Sequence, residues 1–359
     1  MESDFQVSNI SQESGAPTEE KAVVEGIETH LPVLEDVNHP LVPENNHTYI
    51  LREMDGGVSD VELVSYVIED EDFFVILEGE AGVGKNVSVS VLCEAANWPM
   101  TRVNFGAGTT YDNLVGRYAP VDNSSTEEQT VERVEAVRNT AQRFFEENEQ
   151  MTMEKAVELA SQSIPDGSSF EWKDGILTRA VRNGWCFVAD EINAADESAL
   201  MPLNGLTEDR DSRYLTIEEK SEVIKPHPNF RFIATQNPAG YAGVSDLNDA
   251  FSSRGYTIQY DYLPEEAEFA ILKERTDIVE NTSEGAAKNL IRFANDIRQQ
   301  EQSGNSYLSK ISSRTLLKTA KLTDIMSIKD AIRTVFVGEA YEEDKDAIKE
   351  DLRSRKFQA

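Results

Sequence analysis

Apolar and polar positions change rhythm twice along the chain. From Phe73 to Tyr260, five short stretches read as strands: Phe73-Phe74-Val75-Ile76-Leu77, Thr101 to Phe105, Trp185-Cys186-Phe187-Val188-Ala189, Phe230-Arg231-Phe232-Ile233-Ala234 and Gly255 to Tyr260. Each is bounded by glycine, proline or polar residues. Between them, helical spacing runs through Asp60 to Ile68 and Val87 to Ala96, and Ile176, Leu177 and Ala180 suit a helix ending near Gly184. Tyr111 to Tyr118 reads as a turn and a short helix, and Leu247 to Arg254 as helical. After Pro264 the spacing is helical throughout, which predicts helices over 264–275, 284–302, 311–325 and 327–354. Strands alternating with helices, then helices alone, imply an α/β domain followed by a smaller all-α domain.

The first of these strands runs into Gly79-Glu80-Ala81-Gly82-Val83-Gly84-Lys85-Asn86 and then into a helix. A buried strand, a glycine-rich turn and a helix in that order make a phosphate cradle. The glycines let backbone N–H groups point inward, the helix N-terminus adds partial positive charge, and Lys85 can reach the β- and γ-phosphates. Asn86 stands where a Ser or Thr hydroxyl would ordinarily ligate magnesium. Its amide oxygen is an alternative ligand of different geometry.

Two later strands end in groups that suit the same chemistry. Trp185 to Ala189 ends in Asp190 and Glu191, at the edge where parallel sheets bind ligands. Asp190 can hold magnesium through a water, and Glu191 can orient and deprotonate the water that attacks the γ-phosphate. Two acids at a strand end also fit a strand meeting a solvated loop, but their place downstream of the phosphate loop favours chemistry. Phe230 to Ala234 runs on through Thr235-Gln236-Asn237-Pro238, where Asn237 can hydrogen-bond the attacking water or the γ-phosphate and Pro238 stops the strand.

Residues 1–48 carry ten acidic residues and one lysine without sustained periodicity, which predicts a solvated, largely disordered arm. His30, His39 and His47 lie there at spacings that match no zinc motif, and they read as ordinary polar residues. Residues 122–168, rich in Glu, Gln, Ser and Thr, keep a helical stripe through Val131, Val134, Val137, Ala141, Phe144 and Phe145, and predict a helical insertion whose stripe is packing. The expected domains are therefore the arm, a core over 49–262 and helices over 263–359.

With 34 Lys and Arg against 66 Asp and Glu the net charge is −32, spread along the whole chain. Such self-repulsion disfavours a compact fold at ordinary ionic strength and is screened in molar salt, so a halophilic source is the economical explanation. It also argues against a nucleic-acid partner, since no basic stripe rises above the acidic background. The absence of a long apolar run or a signal-like start leads us to expect a cytoplasmic protein with no membrane partner. Cys93 and Cys186 fall in apolar segments and read as small hydrophobes.

From about Tyr49 to about Leu322 the order of these motifs resembles that of AAA+ ATPases. Within them it is similar to the MoxR-type branch, which includes rubisco-activase-like, gas-vesicle and midasin-like proteins. The resemblance implies a P-loop αβα core with a parallel five-stranded sheet and a small all-α lid. It makes Gly79 to Asn86 Walker A, Ala189-Asp190-Glu191 the end of Walker B, Asn237 sensor 1, Arg254 the arginine finger and Arg314 sensor 2. Asp174 to Ala180, Asp190-Glu191-Ile192-Asn193 and Asn237 to Gly243 also look like this branch. Asn86, the long insertion, and Gly255 in place of the aromatic that usually follows the finger all depart from it.

The implied cofactors are ATP and magnesium. The implied work is remodelling of a protein client by a homo-oligomeric ring, expected as a hexamer with nucleotide at each subunit junction and in places engaging a protein with a von Willebrand factor type A domain. Arg210 and Arg213 are alternatives for the finger. A nucleotide-dependent assembly switch with little hydrolysis, owing to Asn86, is the competing reading.

Overall fold

A computed structural model describes residues 10–36, 38–69, 73–120, 127–147, 151–163, 170–238, 247, 249–302, 311–342 and 344–354. Its first elements fall where a disordered arm was expected. β1 (Pro17–Val24) and β2 (Ile27–Leu34) pair antiparallel around Glu25 and Gly26, whose φ values of 48° and 83° give the doubly left-handed turn that suits a twisted hairpin. Ala22, Val24, Leu31 and Leu34 are buried in one cluster with Val61 and Val64 of α1 (Asp60–Glu69). Backbone bonds tie the hairpin down, from Leu34 N–H to the Ala96 carbonyl at 2.9 Å and from His30 N–H to the Ser65 hydroxyl at 3.0 Å.

The disordered-arm expectation is thus corrected for the described part of residues 10–48. Residues 1–9 lie outside the described residues. Glu19, Glu20, Glu25 and Glu28 all take exposed positions, so the acidic composition recorded only the outer face of the hairpin. The buried face is a set of alternate apolar residues.

The central sheet is parallel and five-stranded. β3 (Val75–Gly79) leads into α2 (Lys85–Ala95), and β4 (Met100–Asn104) follows. With β7 (Cys186–Asp190), β10 (Arg231–Gln236) and β11 (Tyr256–Tyr260), these strands lie in the order β11-β3-β10-β7-β4. The three central strands are buried nearly from end to end because helices cover both faces, whereas β4 and β11 at the edges alternate with solvent. Val75 and Leu77 face the cluster of the hairpin, α1 and α2; Phe74 and Ile76 face the opposite cluster, with Phe187, Phe232 and Trp185. Cys93 and Cys186 are buried thiols in the first cluster.

Tyr111 to Tyr118 holds the short helix expected only in its first half. One helical turn, Tyr111–Leu114, passes directly into β5 (Gly116–Pro120), which pairs antiparallel with β6 (Phe170–Asp174). Between them stand α3 (Glu127–Glu147) and α4 (Met153–Ser163), packed through Val137, Ala141, Ala156, Val157 and Ala160. The side chains of Val131 and Val134 lie outside the described residues. α5 (Ile176–Asn183) then ends on Gly184 in the left-handed conformation. After β7, residues with no sequence-level prediction form short 3₁₀ turns and the hairpin of β8 (Leu215–Ile217) and β9 (Glu222–Ile224).

The C-terminal region is helical: α6 (Glu265–Arg275), α7 (Glu284–Gln302), α8 (Ser313–Leu322), α9 (Ile328–Glu339) and α10 (Lys345–Ser354). It has its own apolar cluster, with the Phe293 and Phe336 rings stacked 5.5 Å apart. Inside it, Arg298 meets Glu268 through two hydrogen bonds of 2.9 and 3.0 Å, and Ser313 at the start of α8 donates to the same carboxylate at 2.6 Å.

Candidate nucleotide site

The turn between β3 and α2 adopts a conformation that requires glycine. Gly82 and Gly84 have φ values of 81° and 107°, and a Cβ on Gly82 would come within 2.9 Å of the Ser312 Cβ. The turn therefore lies directly against the start of α8. Lys85 folds its ammonium back over the turn and donates to the carbonyls of Gly79 and Glu80 and, at 3.2 Å, to Asn237 Oδ1. Burial lowers its pKa to about 8, against the opposing pull of the Asp190, Glu80 and Glu191 carboxylates.

The register of the sheet brings the acids to the same place. Asn104 pairs with Asp190, Arg231 to Ala234 pair with Cys186 to Ala189, and Gln236 pairs with Glu78, so the C-terminal ends of β3, β7 and β10 are level. Asp190 accepts a hydrogen bond from Asn86 Nδ2 at 2.8 Å and from the Thr235 hydroxyl at 2.5 Å. Asn86 Oδ1 is buried and has no hydrogen-bond partner among the described residues. Beside Asp190, it is an acceptor that fits a cation.

Glu191 is held in the left-handed region, at φ 55°, a conformation that costs a non-glycine residue roughly 1–3 kcal/mol. Its N–H donates to Thr235 Oγ1 at 3.1 Å, and its carboxylate lies 3.5 Å from Asn237 Nδ2. Asn193 in turn donates to the Asn237 carbonyl at 2.9 Å. Thr235 thus fixes both acids at once, a role that sequence reasoning missed. The available signal was a hydroxyl at the end of an otherwise apolar buried strand.

A cavity of about 410 Å³ covers this cluster, a volume within the range of small-molecule sites. Its lining includes Ala81 to Asn86, Asp190, Glu191 and Asn237, with Arg314 from α8. Ile50, Leu263, Ile271 and Leu317 supply apolar lining. Gly79 and Glu80 stand behind the loop, where their carbonyls hold Lys85.

Two arginines not singled out from sequence also belong to the surroundings. Arg102 lies 3.9 Å from Asp190. Arg52 donates to the carbonyls of Val83 and Asp261 and lies over the Tyr260 ring, so it clamps the loop to the end of β11.

Arg254 is not in the cavity. It pairs with Glu208 at 3.0 Å and lies 3.5 Å from Thr207 Oγ1, beside a separate hollow lined by Met201 and Tyr214. The next residue, Gly255, lies so close to the Phe74 ring that a Cβ would come within 2.6 Å, which explains why no aromatic follows. Arg213 donates to the Glu208 carbonyl at 2.9 Å. The Arg210 side chain and Ala239 to Gly243 lie outside the described residues.

A family model described as an AAA domain of the dynein-related subfamily matches residues 74–161 and 149–255, together just over half of the chain. The chain belongs to this AAA family. The matched stretch spans four of the five sheet strands, the phosphate loop and both acids. An uncharacterized protein of Staphylococcus haemolyticus is 26% identical over 276 residues, covering 77% of this chain and 88% of its own. Midasin of Dictyostelium discoideum is 37% identical over 137 residues, 38% of this chain but only 2% of midasin. A crystal structure of an ATPase candidate from Cytophaga hutchinsonii overlaps 79% of this chain and 85% of its own at 17% identity, with a TM-score of 0.35. Among the described residues of this AAA protein, no helix is long and apolar enough to cross a membrane.

Proposed function

We propose that the protein is a magnesium-dependent ATPase of MoxR type, working as a ring of identical subunits, expected as a hexamer, that remodels a protein client. The observation that carries this reading is the convergence of Lys85, Asn86, Asp190, Glu191 and Asn237 on one phosphate loop. The backbone N–H groups at the start of α2 would hold the phosphates, and Lys85 would turn from the loop carbonyls to the β- and γ-phosphates. Asn86 Oδ1 and Asp190 would hold magnesium. When bound, the ion neutralises charge on the β- and γ-phosphate oxygens. Glu191 takes the proton of the attacking water, Asn237 keeps that carboxylate in place, and Arg314 reaches the phosphates from α8.

Glu191→Gln tests this directly, because the amide keeps the shape and cannot take a proton. ATP binding should persist while turnover falls on the order of 10²-fold or more. Lys85→Ala should instead lose binding. Hydrolysis unchanged in Glu191→Gln would remove Glu191 from the role of base. Assays belong in molar KCl, where the charge of −32 is screened to within about 3 Å.

One observation favours the reading of a switch with little hydrolysis: the Asn86 amide donates to Asp190 and occupies one of its oxygens. Asn86→Thr removes that donor. A wild-type rate at background that rises in Asn86→Thr supports the switch, and a wild-type rate abolished by Glu191→Gln excludes it. A client or a partner with a von Willebrand factor type A domain should co-purify with ATP-bound Glu191→Gln, and recovery of the mutant alone would count against both.

A further inference from the structure

A second cavity, of about 400 Å³, lies where α3 and α4 stand over the β5–β6 hairpin. Its wall is apolar, made by Tyr118, Val137, Phe145, Met153, Val157 and Phe170. Acidic groups join it from Asp112, Glu218 and Glu219, with Arg117 and Arg138 beside them. Phe145 is 38% exposed although it belongs to the apolar stripe that reads as packing, so this end of the stripe faces the opening rather than a partner helix.

Two polar groups here are buried without hydrogen-bond partners among the described residues, the Tyr118 hydroxyl and Glu219 Oε2. Arg138 does not satisfy Glu219: it stands 3.9 Å from the other carboxylate oxygen and 3.9 Å from Asp112, beyond hydrogen-bond range, with 61% of its side chain exposed. Glu219 also acts on the Tyr111 hydroxyl, but its Oε2 has no hydrogen-bond partner among the described residues, a cost that a bound donor would relieve. A cation suits it best, and Glu154, which also acts on Tyr118, adds to the negative field.

We propose that this cavity is a docking site for a polypeptide, in which an aromatic side chain enters between α3 and α4 and a neighbouring lysine donates to Glu219. The charge of the chain, −32, and the acids at the cavity select a basic segment. Arg117 and Arg138 supply donors for the carbonyls of an extended segment. The site lies outside the nucleotide cavity, and only the description of its occupant as a client rests on the remodelling function.

The test uses the full chain without nucleotide, with ATPase rates measured in parallel. A fluorescein-labelled Gly-Ser peptide carrying three Lys-Phe pairs should raise its anisotropy on binding, and its Glu-Phe and Lys-Ala counterparts should bind at least about tenfold more weakly. Glu219→Gln and Tyr118→Phe should each weaken the Lys-Phe peptide, Glu219→Gln by about tenfold, the worth of one hydrogen bond to a charged group. Basal ATPase should be unchanged in both. Equal binding of all three peptides, no binding, or unchanged affinity in both variants would overturn the proposal. Competition by free phenethylamine as strong as by the peptide would replace the polypeptide with a small amine and also overturn it. Peptide binding with no ATPase activity would leave this site standing and refute only the catalytic reading.

Discussion

The two regions that meet at the phosphate loop are held by different means. On the α/β side, the sheet register levels three strand ends, and Thr235, Asn86, Asn193 and Asn237 interlock the acids through short polar contacts. On the helical side, α8 presents Arg314 next to a buried brace, where Ser313 and Arg298 share the Glu268 carboxylate. The first arrangement is defined by neighbouring strands. The second is defined by helix packing, in which Leu316 and Ala320 are buried and Thr315 and Lys318 meet Glu339 of α9 at 3.1 and 2.6 Å.

That contrast takes one chain to be complete, and Arg254 is where it can break. Its guanidinium stands outside the cavity with Glu208 as its main partner, on a surface that also exposes Met201 and Tyr214. If it serves the site of a neighbouring subunit, Arg254→Ala should lose about 10³-fold in turnover with ATP binding intact, the scale of an arginine supplied in trans. Mixing Arg254→Ala with Lys85→Ala in molar salt should then restore activity, since some junctions hold an intact Lys85 facing an intact Arg254. Co-assembled mixtures that stay inactive would leave Arg254 as a surface partner of Glu208.

The brace of the helical side is sharpened by breaking it. Arg298 and Glu268 side chains are 6% and 1% exposed, so Glu268→Ala leaves a buried guanidinium unpaired and should cost about 3–5 kcal/mol in a denaturant melt. Replacing both, as Glu268→Leu with Arg298→Met, should recover most of that stability while leaving Ser313 without its acceptor. ATP affinity is then expected to stay reduced although the fold is restored. A double variant with wild-type affinity would show that Arg314 does not need the brace.

The same contrast explains what was legible beforehand. On the α/β side the convergence of the candidate groups was legible because each follows an apolar run: Lys85 after β3, Asp190 and Glu191 after β7, Asn237 after β10. Thr235 was missed because it looks like a strand residue, and its two hydrogen bonds depend on which strand lies beside it. Arg52 was missed because it belongs to no periodic element and meets Val83 only through the fold. The β1–β2 hairpin was misread because its apolar residues are few and its charges many, and composition averages over the two faces that alternation separates.

The smallest expected effect tests whether that hairpin segment is as fixed as the core it covers. His39 lies just beyond the hairpin, its ring edge-on to Trp185 with centroids 5.6 Å apart. Its Nδ1 accepts the Leu41 N–H at 3.1 Å, so Nε2 carries the proton and donates to the Gln12 carbonyl at 2.9 Å. Both ring nitrogens are thereby used in the neutral form, and protonation would break the Leu41 bond. Burial lowers the pKa of His39 below its usual 6.5, with the Gln12 bond opposing. Burial does the same at His227, which packs against Gly184. With the folded pKa lowered, the unfolded chain binds more protons below pH 6.5, so stability should be full above that pH and decline as the solution is acidified through it. Thermal melts at pH 7.5 and 5.5 measure the decline, and His39→Gln should reduce it without abolishing it, because His227 remains. A variant as acid-sensitive as the wild type would mean that the segment around His39 opens before the core does.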